Sequence, residues 1–157
     1  MPDHTRSIDE VDEVIDEVFD VFPNAPITHD NIDVYRGRME RRLLVKRCRA
    51  CDRYHEPPRS FCPDCLSGDV AAAPVSGAGT VALFSRVHTG PAGFGIDYRA
   101  GHPIAVVELR EQPGLRLSGQ FVAPDGRDAR LDEPVELVWI DRADGPVPGF
   151  APSAQEV

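Results

Sequence analysis

The sequence predicts a mainly β fold, with helices at the N-terminus, a cysteine-held metal module in the middle and a small closed antiparallel barrel after it. Three observations carry that expectation. All four cysteines stand as two close pairs, Cys48 with Cys51 and Cys62 with Cys65, in the pattern C-x2-C-x10-C-x2-C. Before them the apolar spacing is helical, with Ile8, Val11, Ile15, Val18 and Phe22 three and four residues apart. After them come β-branched and aromatic runs broken by Gly- and Pro-rich turns.

The first helix is expected over 7–22. Ser7 and Glu10 form a capping box, Asp and Glu fill the polar face, and Pro23 supplies the stop. Its apolar stripe needs a cover, from its own domain or from another subunit. A second, shorter helix is expected after Asp30, ending near Glu40, with acids at its start and Arg36, Arg38 and Arg41 toward its end, as the helix dipole favours. Leu43 to Arg47 reads as a strand leading into the first cysteine pair. Four further strands are expected at Thr80–His88, Pro103–Arg110, Leu115–Val122 and Pro134–Ile140. Strands of this length with no helical crossover suggest a barrel of the OB type. The boundaries that follow are a helical segment over 1–42, a zinc ribbon over 43–72, the barrel over 73–145 and an extended C-terminal strap over 146–157, where Pro146, Pro148 and Pro152 stand.

Each C-x-x-C turn aims two sulfurs at one point, and two facing turns make the tetrahedral thiolate cage that zinc prefers. Two disulfides fit poorly, because cysteines at i and i+3 would close strained rings. Cys48, Cys51, Cys62 and Cys65 are therefore the expected ligands of one structural zinc, with no position left open for substrate. His55, inside the ribbon hairpin, is expected at the surface and not as a fifth ligand.

The chain of 157 residues has room for one modest core. Its first residues lack the basic start and apolar run of a signal peptide, and no stretch is long and apolar enough to span a membrane, so a cytoplasmic location is expected. The net charge of −9 hides an asymmetry: residues 36–59 carry a run of arginines, with Lys46, inside an otherwise acidic chain. Such a segment can receive an anion, or it can simply balance the acidic helix.

The chain lacks a G-x-S-x-G elbow, an H-E-x-x-H motif and a P-loop, and metal-bound cysteines leave no thiol nucleophile. No catalytic residue is assigned, and no independent case for an enzyme emerges. Among five scattered histidines, His88 is the best candidate to touch a ligand, because it ends a strand beside a glycine-rich loop.

Four segments together, Val45–Cys51, Pro57-Pro58-Arg59, Cys62-Pro63-Asp64-Cys65 and Val75–Val81, resemble the DUF-thirty-five family. That family joins a rubredoxin-like zinc ribbon to an OB-fold. The resemblance extends through Pro103–Leu109 and Pro134–Val138 to Phe150. It implies an accessory, non-catalytic subunit in acyl-CoA metabolism that pairs as a heteromer with a thiolase-fold aldolase or thiolase, of the kind used in steroid side-chain degradation. Related domains also pair with MaoC-like enoyl-CoA hydratases. It gives the arginine-rich segment a candidate ligand, the phosphates of an acyl-CoA, so that Arg47, Arg53 and Arg59, with His88, become candidate ligand-binding residues. The family often has glycine after the second and fourth cysteines, where this chain has Asp52 and Leu66, and Leu131-Asp132-Glu133 replaces an isoleucine-glycine turn. OB-folds and zinc ribbons also bind nucleic acid. The acidic barrel half and its few aromatics, not interleaved with lysines, count against that alternative, and no nucleic-acid or membrane partner is expected.

Overall fold

The computed structural model describes residues 17–154. Of the first predicted helix, residues 7–16 lie outside the described residues, and 17–21 are helical (α1). Val18 and Phe22 at this end are buried, Phe22 meeting the Tyr35 ring edge-on with centroids 5.1 Å apart. Gly145 makes room for Phe22, since a Cβ there would stand 2.3 Å from its ring. This end of the stripe is covered by the chain's own fold, while Phe19 stays exposed.

The second helix, α2, spans Ile32–Met39, with Asp33 in its first turn and Arg36 and Arg38 in its last. It lies close against the first strand because Gly37 has no side chain; a Cβ there would stand 2.7 Å from Leu44. That strand, β1 (Leu44–Cys48), is the middle of a three-stranded sheet with β2 (Tyr54–His55) and β3 (Val70–Pro74). This small sheet is the frame of the ribbon.

The barrel is closed, in the order β4-β5-β6-β8-β7. Its strands are β4 (Gly79–Val87), β5 (His102–Leu109), β6 (Arg116–Phe121), β7 (Pro134–Arg142) and β8 (Gly145–Pro152). Four of them fall where the periodicity placed them. The fifth, β8, is the segment expected as an extended strap, and it is a barrel strand. It pairs antiparallel with β7 along its whole length and parallel with β6 at Gln120 and Phe121. Prolines made that segment look unfit for pairing. Pro146, Pro148 and Pro152 are spaced by two and four, so their missing N–H groups all fall on one edge. The Ser153 N–H donates to Pro134 O of β7 at 3.0 Å, which places the proline edge on the opposite side, toward the short β6 contact.

Closure brings Val81, Ala105, Val107, Leu109, Phe121, Val135 and Phe150 together inside. Val45 of the ribbon strand is part of the same buried cluster, with Tyr54 and Val75 packed against it. Ribbon and barrel therefore share one core. The side chain of Gln112 adds a polar link, accepting from Tyr54 N–H at 2.9 Å and donating to Tyr54 O at 3.0 Å.

Candidate metal centre and ligand-facing surface

The two cysteine pairs converge. Their four sulfurs lie within 4.8 Å of one another, with Cys48–Cys65 and Cys51–Cys62 at 3.6 Å. A tetrahedron with Zn–S bonds of about 2.3 Å has edges of about 3.8 Å, so the cage has the size of a tetrathiolate site. A disulfide needs about 2.05 Å, and no pair is near it. Cys48 and Cys62 are buried, while Cys51 and Cys65 face outward.

Backbone hydrogen bonds hold each knuckle. Cys48 N–H donates to Arg53 O, Leu66 N–H to Cys62 O and Cys62 N–H to Ser67 O, all at 2.8–2.9 Å. The turn back requires a left-handed residue four positions after the first cysteine of each pair. Asp52 and Leu66 occupy those positions, each with φ of 62°. Asp132, in the turn before β7, has the same φ. Asp52 and Leu66 stand where the resembling family often has glycine, and both adopt the left-handed conformation despite a Cβ, at most cost for Leu66.

The thiols are electrostatically coupled. At Cys48 burial opposes ionisation, but backbone N–H groups of Cys51 and Ala50, with the Cys65 and Cys51 sulfurs, bring the thiol down to about 7. At Cys51 the Arg53 N–H favours the thiolate, yet burial and the other three sulfurs outweigh it and push the thiol up to about 12. Four thiolates cannot share this space alone, and a dication at their centre is the charge that lets them. The cysteines are positioned to hold a metal ion, which would supply structure and no open coordination site.

The other candidates are dispersed. Arg47 pairs with Asp52 at 3.3 Å and lies over the Tyr54 ring, and Arg53 pairs with Asp64 at 3.4 Å. Arg59 is exposed on the same hairpin. His88 stands at the end of β4, its ring against Gly101. His55, expected at the surface, is buried instead, because its strand lies beside β1 at the edge of the shared core. Burial lowers its pKa, with Asp64 acting against that and Arg59 and Arg53 adding to it.

Sequence reasoning missed a groove of about 400 Å³ beneath the 88–101 loop, where Arg38, His102, Gln120 and Arg142 meet. His88 does not line it, although its neighbours Val87 and Thr89 do. No sequence signal pointed there, since the four residues come from α2, β5, β6 and β7. Among the described residues no helix is long and apolar enough to cross a membrane.

Comparison with known proteins agrees with this architecture. Residues 36–71 match the ChsH2 rubredoxin-like zinc ribbon domain, and residues 72–140 match the ChsH2 C-terminal OB-fold domain. The chain belongs to the ChsH2 zinc-ribbon and OB-fold family. Its structure is similar to a chain of the Ltp2-ChsH2(DUF35) aldolase, at TM-score 0.69 and 32% identity, covering 82% of this chain and 98% of that one. It shares its fold with a DUF35-family protein of unknown function from Sulfolobus solfataricus, at TM-score 0.51 and 14% identity, covering 82% and 87% of the two chains. Over 120 residues it is 32% identical to a probable enoyl-CoA hydratase alpha subunit of Thermomonospora curvata, covering 76% of this chain and 36% of that protein. The chain thus spans about a third of the length of that curated relative.

Proposed function

We propose that this chain is a non-catalytic accessory subunit of an acyl-CoA-processing complex. The observation that carries the reading is its likeness to a chain of the Ltp2-ChsH2(DUF35) aldolase over 98% of that chain's length. The partner is a thiolase-fold aldolase or thiolase, of the type that shortens steroid side chains. The metal cage, with all four ligands from protein, has a structural part in this reading and leaves the chemistry to the partner. The chain contributes to holding or channelling the acyl-CoA, with Arg47, Arg53, Arg59 and His88 as the proposed contacts to its phosphates. Similarity to an enoyl-CoA hydratase alpha subunit supports acyl-CoA as the substrate class.

Co-expression with the thiolase-fold enzyme encoded beside it tests the pairing. The expected result is a co-eluting heteromer whose interface buries well over ~1,200 Å². A chain that stays a monomer and never co-elutes with that enzyme overturns the reading. Replacing Arg47, Arg53 and Arg59 together then separates two roles within the complex. Loss of CoA-thioester affinity with assembly intact supports the phosphate contact, and unchanged affinity removes it.

A further inference from the structure

The groove beneath the 88–101 loop holds an electrostatic imbalance that the fold does not satisfy by itself. Arg38 reaches it from the last turn of α2 and Arg142 from the end of β7, and no carboxylate lines it among the described residues. Most arginines of the described chain have a carboxylate partner, as Arg41 has Asp141 and Arg86 has Asp128. Those without one (Arg59, Arg99, Arg110 and Arg130) are exposed, where water solvates the charge. Arg38 and Arg142 are the half-buried exceptions among the described residues. Nε of Arg38 is buried with no hydrogen-bond partner, and its guanidinium lies over the Tyr35 ring at 4.6 Å. Burial raises the Glu56 pKa, with Arg38 acting against it; this carboxyl lies in an adjoining cleft that Arg38 also lines, and it makes no ion pair with Arg38. Asp141 and Asp97, at the neighbouring cleft, are engaged by the Arg41 guanidinium and the Arg99 N–H. A partly desolvated cation without a counter-ion is costly, and an arriving anion removes that cost.

The remaining polar groups suit the same ligand. Arg142 donates to Gln120 Oε1 at 2.8 Å, which leaves the Gln120 amide N–H groups free to donate into the groove. The Arg142 guanidinium faces His102 Nε2 at 3.5 Å, so an uncharged His102 accepts there and carries its proton on Nδ1. Burial and Arg142 both lower the His102 pKa, which keeps the ring neutral near pH 7. The Ser118 hydroxyl adds another donor at the wall. The rest of the lining is apolar, with Ile96, Ile104, Val147 and Pro148. A volume of this size is at the small end of ligand sites.

We propose that this groove binds the oxyanion, phosphate or carboxylate, of a small ligand whose apolar body lies along Ile96, Ile104 and Pro148. The guanidinium of Arg142 and the Gln120 amide hold the anion, and Arg38 closes it from the α2 side. The site needs no partner subunit and is separate from the ribbon arginines, so its failure would leave the proposed pairing standing, and the reverse.

The test titrates the zinc-loaded full chain with phenyl phosphate, with benzoate and with benzyl alcohol, following backbone amide resonances of Gly90, Ile104 and Gly119. The three probes share a ring and differ in the anion. Both anions, or one of them, are expected to shift these resonances to saturation, while benzyl alcohol leaves them unchanged. The tighter of the two anions identifies the source as a phosphate ester or a carboxylic acid. Arg142→Gln and Arg38→Gln are each expected to weaken binding roughly tenfold or more, as loss of a charge-assisted contact implies. The combined Arg47, Arg53 and Arg59 replacement is expected to leave it unchanged. If Arg142→Gln fails to fold, Arg38→Gln decides, because its guanidinium makes no hydrogen bond to the barrel among the described residues. No saturable shift with either anion, equal binding of the alcohol, or full affinity in the folded arginine variants would each overturn the proposal.

Discussion

Replacing Gln112 by alanine breaks the polar link between ribbon and barrel, and its cost can be worked from the structure. Gln112 comes from the β5–β6 turn and pairs with both backbone groups of Tyr54, at 2.9 and 3.0 Å, as a neighbouring strand would. It thereby covers the open edge of β2, whose other edge pairs with β1. Each such bond contributes a net 0.5–1.5 kcal/mol, so losing both costs about 2 kcal/mol. Tyr54 is half-buried against the shared core, which limits how well water replaces the lost partner. For a chain of this size that loss lowers Tm by roughly 4–8 °C. Gln112→Glu keeps an acceptor for Tyr54 N–H but sets a carboxylate oxygen against Tyr54 O, so it recovers none of the second bond. Urea unfolding of the zinc-loaded protein measures the loss, and hydrogen exchange at the Tyr54 amide localises it. An alanine variant within ~0.5 kcal/mol of the parent, with Tyr54 still protected, would refute the reasoning.

Three further outcomes follow from the same structure. Cys62→Ala should reduce bound zinc from one per chain to none and remove folding free energy on the order of 10 kcal/mol, because structural metal binding is folding free energy in such modules. Since Val45 lies in the barrel core, amide spectra should show the disturbance reaching β4 and β7, and stoichiometric zinc in the folded variant would contradict the cage. Leu66→Gly should stabilise the protein by about 0.5–1 kcal/mol, since a left-handed residue with a Cβ costs about 1–2 kcal/mol and glycine returns part of that gain as chain entropy; chemical denaturation reads it, and a loss of stability would count against the strain. The Arg127 guanidinium holds the Glu133 carboxyl below its ordinary value of 4.5, against partial burial and with help from Arg130 N–H. A depressed folded pKa stabilises above the unfolded value and is lost as pH falls through the folded one. Glu133→Gln should therefore be less stable than the parent near neutral pH, with the difference shrinking in acid, and a gap independent of pH would show that the pair is not the cause.

The sequence by itself determined whatever rests on local spacing. The C-x2-C pairs placed four sulfurs on two turns, and no long-range information was needed to see that the turns face each other. Alternation and turn residues located β4 to β7, because side-chain direction and Gly or Pro punctuation are properties of the local backbone. Asp52, Leu66 and Asp132 stood out in the sequence only as departures from the resembling family, and it is the structure that shows each of them to be left-handed. Tertiary structure decided the rest. The proline-rich tail became a barrel strand only because its missing donors fall on one edge, beside a short contact, which is a fact about its neighbours. His55 is buried and Val45 enters the barrel core because β1 serves two layers at once. Arg38, His102, Gln120 and Arg142 are 18 to 64 positions apart when taken in sequence order, and barrel closure with α2 docking is what joins them. Charge in the sequence pointed to the ribbon arginines, yet pairing with Asp52 and Asp64 neutralises two of them, and the half-buried unpaired cations lie elsewhere. A charge in a chain is countable; whether it is compensated depends on which carboxylates the fold brings beside it.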